Sequence, residues 1–517
     1  MPRRARRLTL AALVPLILAG CTAGPSTRPP VVENDGPAPS EKTTTPSQAP
    51  LPELAEPRGS AIDWSDCGAE TQQRLGADGG EAGGSLSYSC ARITTTLDAP
   101  DLPRRGIKRI AVLKAGTGPV PLVVVNDVDG EPGTLYAAKL AATLPPELLE
   151  TFSLVGMDRR GTGQSDPARC IPSDVRATLL GHDPAAGLEP VLDAARTAGQ
   201  QCAINLEDEQ GALDSWRAAG DLDELRDQLG VARLNAIGHG EGSNVVALFG
   251  ARYPGRAGRL VLDGVPDPSA DRAAVLDGMA GGAEATLDAF GEQCATDPGC
   301  PLGGDVRGDV TALAEQARRS PVPTGRGTAL GPGLVLRAVL AGLADRNRWG
   351  ELAGALAAAK SGDGAKLSAF VEPMLVETEY AAARLDGSLA TQCNDTVTRL
   401  PADQLAKAAK DLDARHPVFG AVLAQELAWC SPWPSRREPV PQLGAPGAPP
   451  ILVISTAVDP VTPERGTIRA AERLPSAVRV AWQGTGHGAL GSPCVAQATQ
   501  AFLVNGTVPR DGTLCPA

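Results

Sequence analysis

The chain has 517 residues, 42 % of them hydrophobic, and a formal charge of −12, which suits one large domain with an insertion, or two domains. Such acidity offers no electrostatic attraction to nucleic acid or to an anionic lipid surface. The four histidines, His182, His239, His416 and His487, make no HExxH motif and no Cys/His cluster at ligand spacing, so neither a structural or catalytic metal nor a cofactor is expected.

Residues 1–20 join an arginine cluster to the apolar run LTLAALVPLILA, too short for a mature membrane span. They read as a secretory signal. The run closes on Leu18-Ala19-Gly20-Cys21, similar to the bacterial lipobox, which predicts acylation of Cys21 and a protein lipid-anchored on the outer side of the cell membrane. Loss of Arg3, Arg4, Arg6 and Arg7, four positive charges with no acid among them, takes the mature chain from −12 to −16. Residues 21–58, rich in Pro, Ser, Thr and Glu, bury too little apolar surface to offset ordering entropy and are expected to form a disordered tether.

Of 11 cysteines, ten remain beyond Cys21, an even number in an oxidising compartment. Neighbour order proposes Cys67–Cys90, Cys170–Cys202, Cys294–Cys300, Cys393–Cys430 and Cys494–Cys515, although sequence alone fixes no connectivity. Residues 62–115 read as antiparallel lead-in strands. Pro121–Val125 (PLVVV) reads as a strand buried on both faces, running into Asn126-Asp127-Val128-Asp129-Gly130-Glu131-Pro132-Gly133. A further strand over 151–157 leads into the tight-backbone turn Asp158–Asp166, and DLDELRDQL at 221–229 is helical by its spacing.

Residues 233–267 then give a short apolar strand, Gly238-His239-Gly240-Glu241-Gly242, an amphipathic helix and a second strand. That is the layout of a nucleophile elbow, in which glycines let the backbone turn sharply and present the middle residue at the mouth of a sheet. Here the middle residue is Gly240, which has no atom able to attack a carbonyl. The Ala-, Leu- and Asp-rich stretch 269–437 reads as an inserted helical cap. After it, PPILVIS returns to strand and leads to Asp459, and a later strand leads to Gly484-Thr485-Gly486-His487-Gly488. Elbow, then acid, then histidine is the chain order of an α/β-hydrolase, with a mostly parallel central sheet, core segments at 59–268 and 438–517, and the cap at 269–437. In that chemistry Asp459 orients His487, and His487 takes a proton from the nucleophile.

The chain resembles the secreted tripeptidyl aminopeptidases of the proline-iminopeptidase-like α/β-hydrolases. The resemblance rests on IDWSDC and CARITTTLDAPD near the start, GEPG at 130–133, DRRGTGQSDPARC at 158–170, RLVLDGVPDPS at 259–269, TQCND at 391–395, DPVTP at 459–463 and GTGHG at 484–488. It implies peptidase or esterase chemistry with Asp459 as acid and His487 as base. It also implies a cap that holds the free amino end of a peptide through carboxylates, with Asp395 as a substrate-binding candidate or else a capping residue.

Three departures surround the expected nucleophile. Gly240 replaces serine, Gly130-Glu131-Pro132-Gly133 stands where Gly-Gly-Pro-Gly is expected in the oxyanion loop, and Glu241 stands where tyrosine is usual. An inward Glu131 would repel a developing oxyanion. Ser243, about one turn into the helix, is expected to cap or pack, and His239 to point elsewhere. The leading expectation is a hydrolase homologue impaired in covalent catalysis that binds peptides or small amines. The alternatives are a hydrolase using the His487–Asp459 pair with water or another nucleophile, and a non-catalytic envelope scaffold.

Overall fold

Val120–Val125 and Phe152–Met157 are buried at every position, as central strands covered on both faces must be. The computed structural model that shows this describes residues 50–77, 86–269, 271–325, 328–378, 381–434, 438 and 441–517. The signal segment, Cys21 and the tether up to residue 49 lie outside the described residues. The expected tether ends earlier than residue 58, because Leu51 and Leu54 pack on the core. Pro52 O accepts a bond from Arg259 Nε at 3.1 Å, and Arg58 N–H donates to Gly230 O at 2.9 Å.

The strands are β1 (Ser65–Asp66), β2 (Tyr88–Thr96), β3 (Ile107–Ala115), β4 (Val120–Val125), β5 (Phe152–Met157), β6 (Leu234–His239), β7 (Ala257–Asp263), β8 (Val322–Pro323), β9 (Ala329–Leu330), β10 (Ile451–Val458), β11 (Ala477–Thr485) and β12 (Thr513–Cys515). Ten of them form one sheet in the order β1-β2-β3-β5-β4-β6-β7-β10-β11-β12. It is antiparallel as far as the β3–β5 pair and parallel from β5 to β12. This is the α/β-hydrolase sheet, with its crossover at β5-β4. β8 and β9 pair only with each other, so the described residues of 264–450 add no strand to the large sheet.

Helices Ser215–Gln228 and Gly242–Arg252 pack on one face, and Gly133–Thr143 and Pro493–Leu503 on the other. Beyond the sheet stands a helical layer. Its core joins residues of Arg272–Thr296, Pro332–Ala344 and Trp349–Lys360 to Gly420–Cys430. Ser173–Gly181 and Glu189–Leu206, which precede the elbow in sequence, pack into the same layer against Arg384–Asp395 and Gly420–Cys430. All five disulfides follow neighbour order: Cys67–Cys90, Cys170–Cys202, Cys294–Cys300, Cys393–Cys430 and Cys494–Cys515. Such a framework belongs to an extracytoplasmic protein. Among the described residues no helix is long and apolar enough to cross a membrane.

Candidate active site

β6 ends at His239 and the next helix begins at Gly242, so the chain reverses in two residues. Gly240 takes the turn at φ +55°, a left-handed conformation that glycine adopts without steric cost. Its N–H donates to Asp263 O at 2.9 Å, and its carbonyl accepts from Ser243 N at 3.0 Å. A Cβ on Gly242 would stand 2.2 Å from Val125 O, so that glycine is needed for the close approach of helix and strand. The elbow is formed as its glycine spacing predicts.

The side-chain space at position 240 belongs to another residue. A Cβ placed there would lie 2.1 Å from Asp127 Oδ1 and 2.5 Å from Asp127 Oδ2. Asp127, two residues beyond β4, receives the Glu241 backbone N–H on Oδ1 at 2.6 Å and meets His487 Nε2 at 3.0 Å through Oδ2. His487 Nδ1 meets both oxygens of Asp459 at 3.1 Å. Asp459 is fixed in turn by the amides of Val461 and Thr462, each at 2.8 Å, and by Thr462 Oγ1 at 2.9 Å. The imidazole thus lies between two carboxylates, in the relation that a serine hydroxyl and an acid have to it in a triad. Thr462 Oγ1 does come within 3.4 Å of His487 Nδ1, but on the Asp459 side, away from Nε2. Ser243 is fully buried and its Oγ has no partner there.

Burial by itself would push the His487 proton off. The Asp459 and Asp127 carboxylates override it and hold the imidazole well above the usual histidine range. Asp127 and Asp459 move the opposite way: burial raises each, and the His487 charge and backbone N–H bonds bring each below the usual carboxylate range. The neutral-pH state is Asp459⁻, His487⁺, Asp127⁻. An imidazolium already carrying its proton cannot act as a general base.

Residues 416–515, which carry both Asp459 and His487, match the family model described as TAP-like protein. The chain is 25 % identical over 493 residues to the serine protease Hip1 of Mycobacterium tuberculosis, covering 89 % of this chain and 92 % of that one. It is 26 % identical to carboxylesterase B of the same organism, covering 82 % and 86 %. It is 25 % identical to a tripeptidyl aminopeptidase of Streptomyces lividans, covering 88 % and 87 %. Distant homology ties the chain to the TAP-like α/β-hydrolases.

The backbone N–H groups beside the elbow face carboxylates. The Glu241 N–H is taken by Asp127, and the Val128 N–H faces Glu241 Oε2 at 3.3 Å. Glu131 corrects the sequence expectation: its carboxylate lies 2.5 Å from Lys139 Nζ, so an ion pair, not oxyanion repulsion, is its arrangement. Gly130 and Gly133 shape the loop. A Cβ at Gly133 would meet Met157 O at 2.0 Å. His239 corrects another expectation, since its ring lies 4.4 Å from that of His487 and stacks on Tyr136 at 5.3 Å. The elbow turns the residue before Gly240 toward the histidine loop, which sequence adjacency did not reveal.

Asp395, at the end of its helix, accepts from Ser215 N at 3.0 Å and Ser215 Oγ at 2.6 Å, which makes it a capping group at the start of helix Ser215–Gln228. Burial, with the charges of Asp214 and Glu241, pushes it up to about 7. Asp129 reaches the surface, yet desolvation among the loops and the charges of Asp127, Glu241 and Glu426 push its carboxyl upward. Glu426 comes from the helical layer, so carboxylates from sheet loops and helical layer act on common ground. Asp127, Asp263 and Asp129 escaped the sequence reading. The one available signal was an acid two residues beyond an apolar strand in a chain whose elbow carries Gly240.

Proposed function

We propose that this chain is a lipid-anchored, extracytoplasmic TAP-like hydrolase homologue that has given up covalent serine catalysis and binds the amino end of peptides or small amines. The anchor is read from the arginine cluster, the short apolar run and the lipobox-like Leu18–Cys21. The observation that carries the loss of chemistry is the Asp127 carboxylate, which fills the nucleophile's space and occupies both the imidazole and the Glu241 N–H. Removing the nucleophile of a serine hydrolase costs on the order of 10⁶ in turnover, and the residue of activity normally left by the oxyanion donors is lost with them. Binding is supported by the Asp129 and Asp395 carboxyls, each raised in part by the charge of Glu241, which marks excess negative charge suited to an ammonium group. The peptide character of the ligand is inferred from the tripeptidyl aminopeptidase relative.

A fluorophosphonate probe and a thermal-shift titration test this reading together. The expected result is no labelled serine, with stabilisation by a tripeptide whose amine is free and none by its N-acetylated form. A labelled serine, or equal stabilisation by both peptides, overturns it.

A further inference from the structure

We propose that Asp127, His239 and His487 together form a binding site for a divalent cation of the zinc class, beside the side-chain space of position 240 that the Asp127 carboxylate fills. One donor atom from each of the three lies within 4.8 Å of the others. Asp127 Oδ2 is 3.0 Å from His487 Nε2 and 3.8 Å from His239 Nε2. Those separations bracket the roughly 3.3 Å that separates tetrahedral ligands bonded at zinc distances.

Each histidine is held from behind by its own carboxylate. His487 Nδ1 rests on Asp459 at 3.1 Å, and His239 Nδ1 faces Asp263 Oδ2 at 3.4 Å. Both rings therefore turn Nε2 toward Asp127. Asp263 is itself fixed by the amides of Ala489 and Leu490, at 2.8 and 3.3 Å, and Tyr136 stacks on the His239 ring. A carboxylate on the far nitrogen is the outer-shell arrangement that orients metal-ligating histidines and raises their basicity. Here it occurs twice around one point.

The donor set, two imidazole nitrogens and one carboxylate oxygen, suits zinc and its late first-row neighbours, three protein ligands leave a further position for solvent, and binding releases the His487 Nε2 proton to solvent. Side-chain exposures of 13 % for Asp127, 14 % for His239 and 8 % for His487 give solvent access to the cluster. Glu241 and Asp129 add negative charge nearby. The absence of Cβ at Gly240 leaves Asp127 its place. The expectation of no metal rested on the lack of a spacing motif, and these ligands come from two loops and the end of β6, where no spacing rule applies.

This inference goes beyond the proposed peptide binding and does not depend on it, and the two are read by different titrants. The test is calorimetric titration of the whole, chelator-treated protein with Zn²⁺, and optical titration with Co²⁺. One equivalent should bind, cobalt should develop the visible absorption of a low-coordinate site, and zinc should raise the melting temperature. Asp127→Asn and His239→Gln should each weaken binding at least 100-fold and abolish the cobalt band, whereas His416→Gln, at a histidine paired with Asp277, should leave both unchanged. Asp127→Asn is isosteric, and a cooperative melt shows that it still folds. Failure of the wild type to bind one equivalent, or binding and absorption that survive both substitutions, overturns the site.

Discussion

A methylene added at position 240 would meet Asp127 Oδ1 at 2.1 Å on a backbone with φ +55°, so restoring serine here displaces a buried charge and strains a turn. Left-handed backbone costs a non-glycine residue roughly 1–2 kcal/mol, and overpacking adds about 1–3 kcal/mol. Gly240→Ser is therefore expected to lower stability by about 2–5 kcal/mol, on these two terms. Asp127→Gly should restore part of that loss in the double variant. A double-mutant cycle by chemical denaturation reads the coupling; additive effects would show that the two positions do not compete for space. Asp395 gives a prediction with a pH window. Its folded value of about 7 lies above the unfolded value of about 3.9, so ionising it costs stability. The cost is full above pH 7 and fades as pH falls toward about 4. Asp214 and Glu241 supply the negative field, and Ser215 the bonds that oppose it. Asp395→Asn should therefore be more stable than the wild type at pH 8, with the difference shrinking steadily to pH 4. A difference that is constant with pH would contradict the assignment.

Elements carry these side chains to one end of the sheet, and much of that delivery was legible in the sequence. The glycines at 238, 240 and 242 specify an elbow because only glycine permits those approaches, and buried apolar runs at 120–125 and 451–454 mark strands covered on both faces. The Asp459–His487 pair follows from two post-strand turns in the right order. Asp127 and His239 were not legible, because their meeting depends on how two adjacent parallel strands, β4 and β6, align their ends. Nor does helical periodicity reveal that 173–206 joins the later helices. Cys393–Cys430 ties helix Arg384–Asp395, which ends on Asp395, to helix Gly420–Cys430, which bears Glu426. Replacing both cysteines by serine should cost about 2–4 kcal/mol and weaken binding of a free-amine tripeptide. Unchanged binding in a folded variant would remove the helical layer from ligand recognition.

At the scale of the whole molecule, the proposed function keeps an α/β-hydrolase architecture and closes its reactive centre on itself. Five disulfides and a ten-stranded sheet with buried central strands hold acid, histidine and elbow in place, and the Asp127 carboxylate lies in the side-chain space of position 240. The measurement that reaches this claim most directly is NMR of the His487 imidazole in metal-free protein at neutral pH. Two hydrogen-bonded ring protons are expected, one on Nδ1 toward Asp459 and one on Nε2 toward Asp127, with the Nε2 signal altered or lost in Asp127→Asn. A neutral imidazole with a bare Nε2, unaffected by that substitution, would contradict the account.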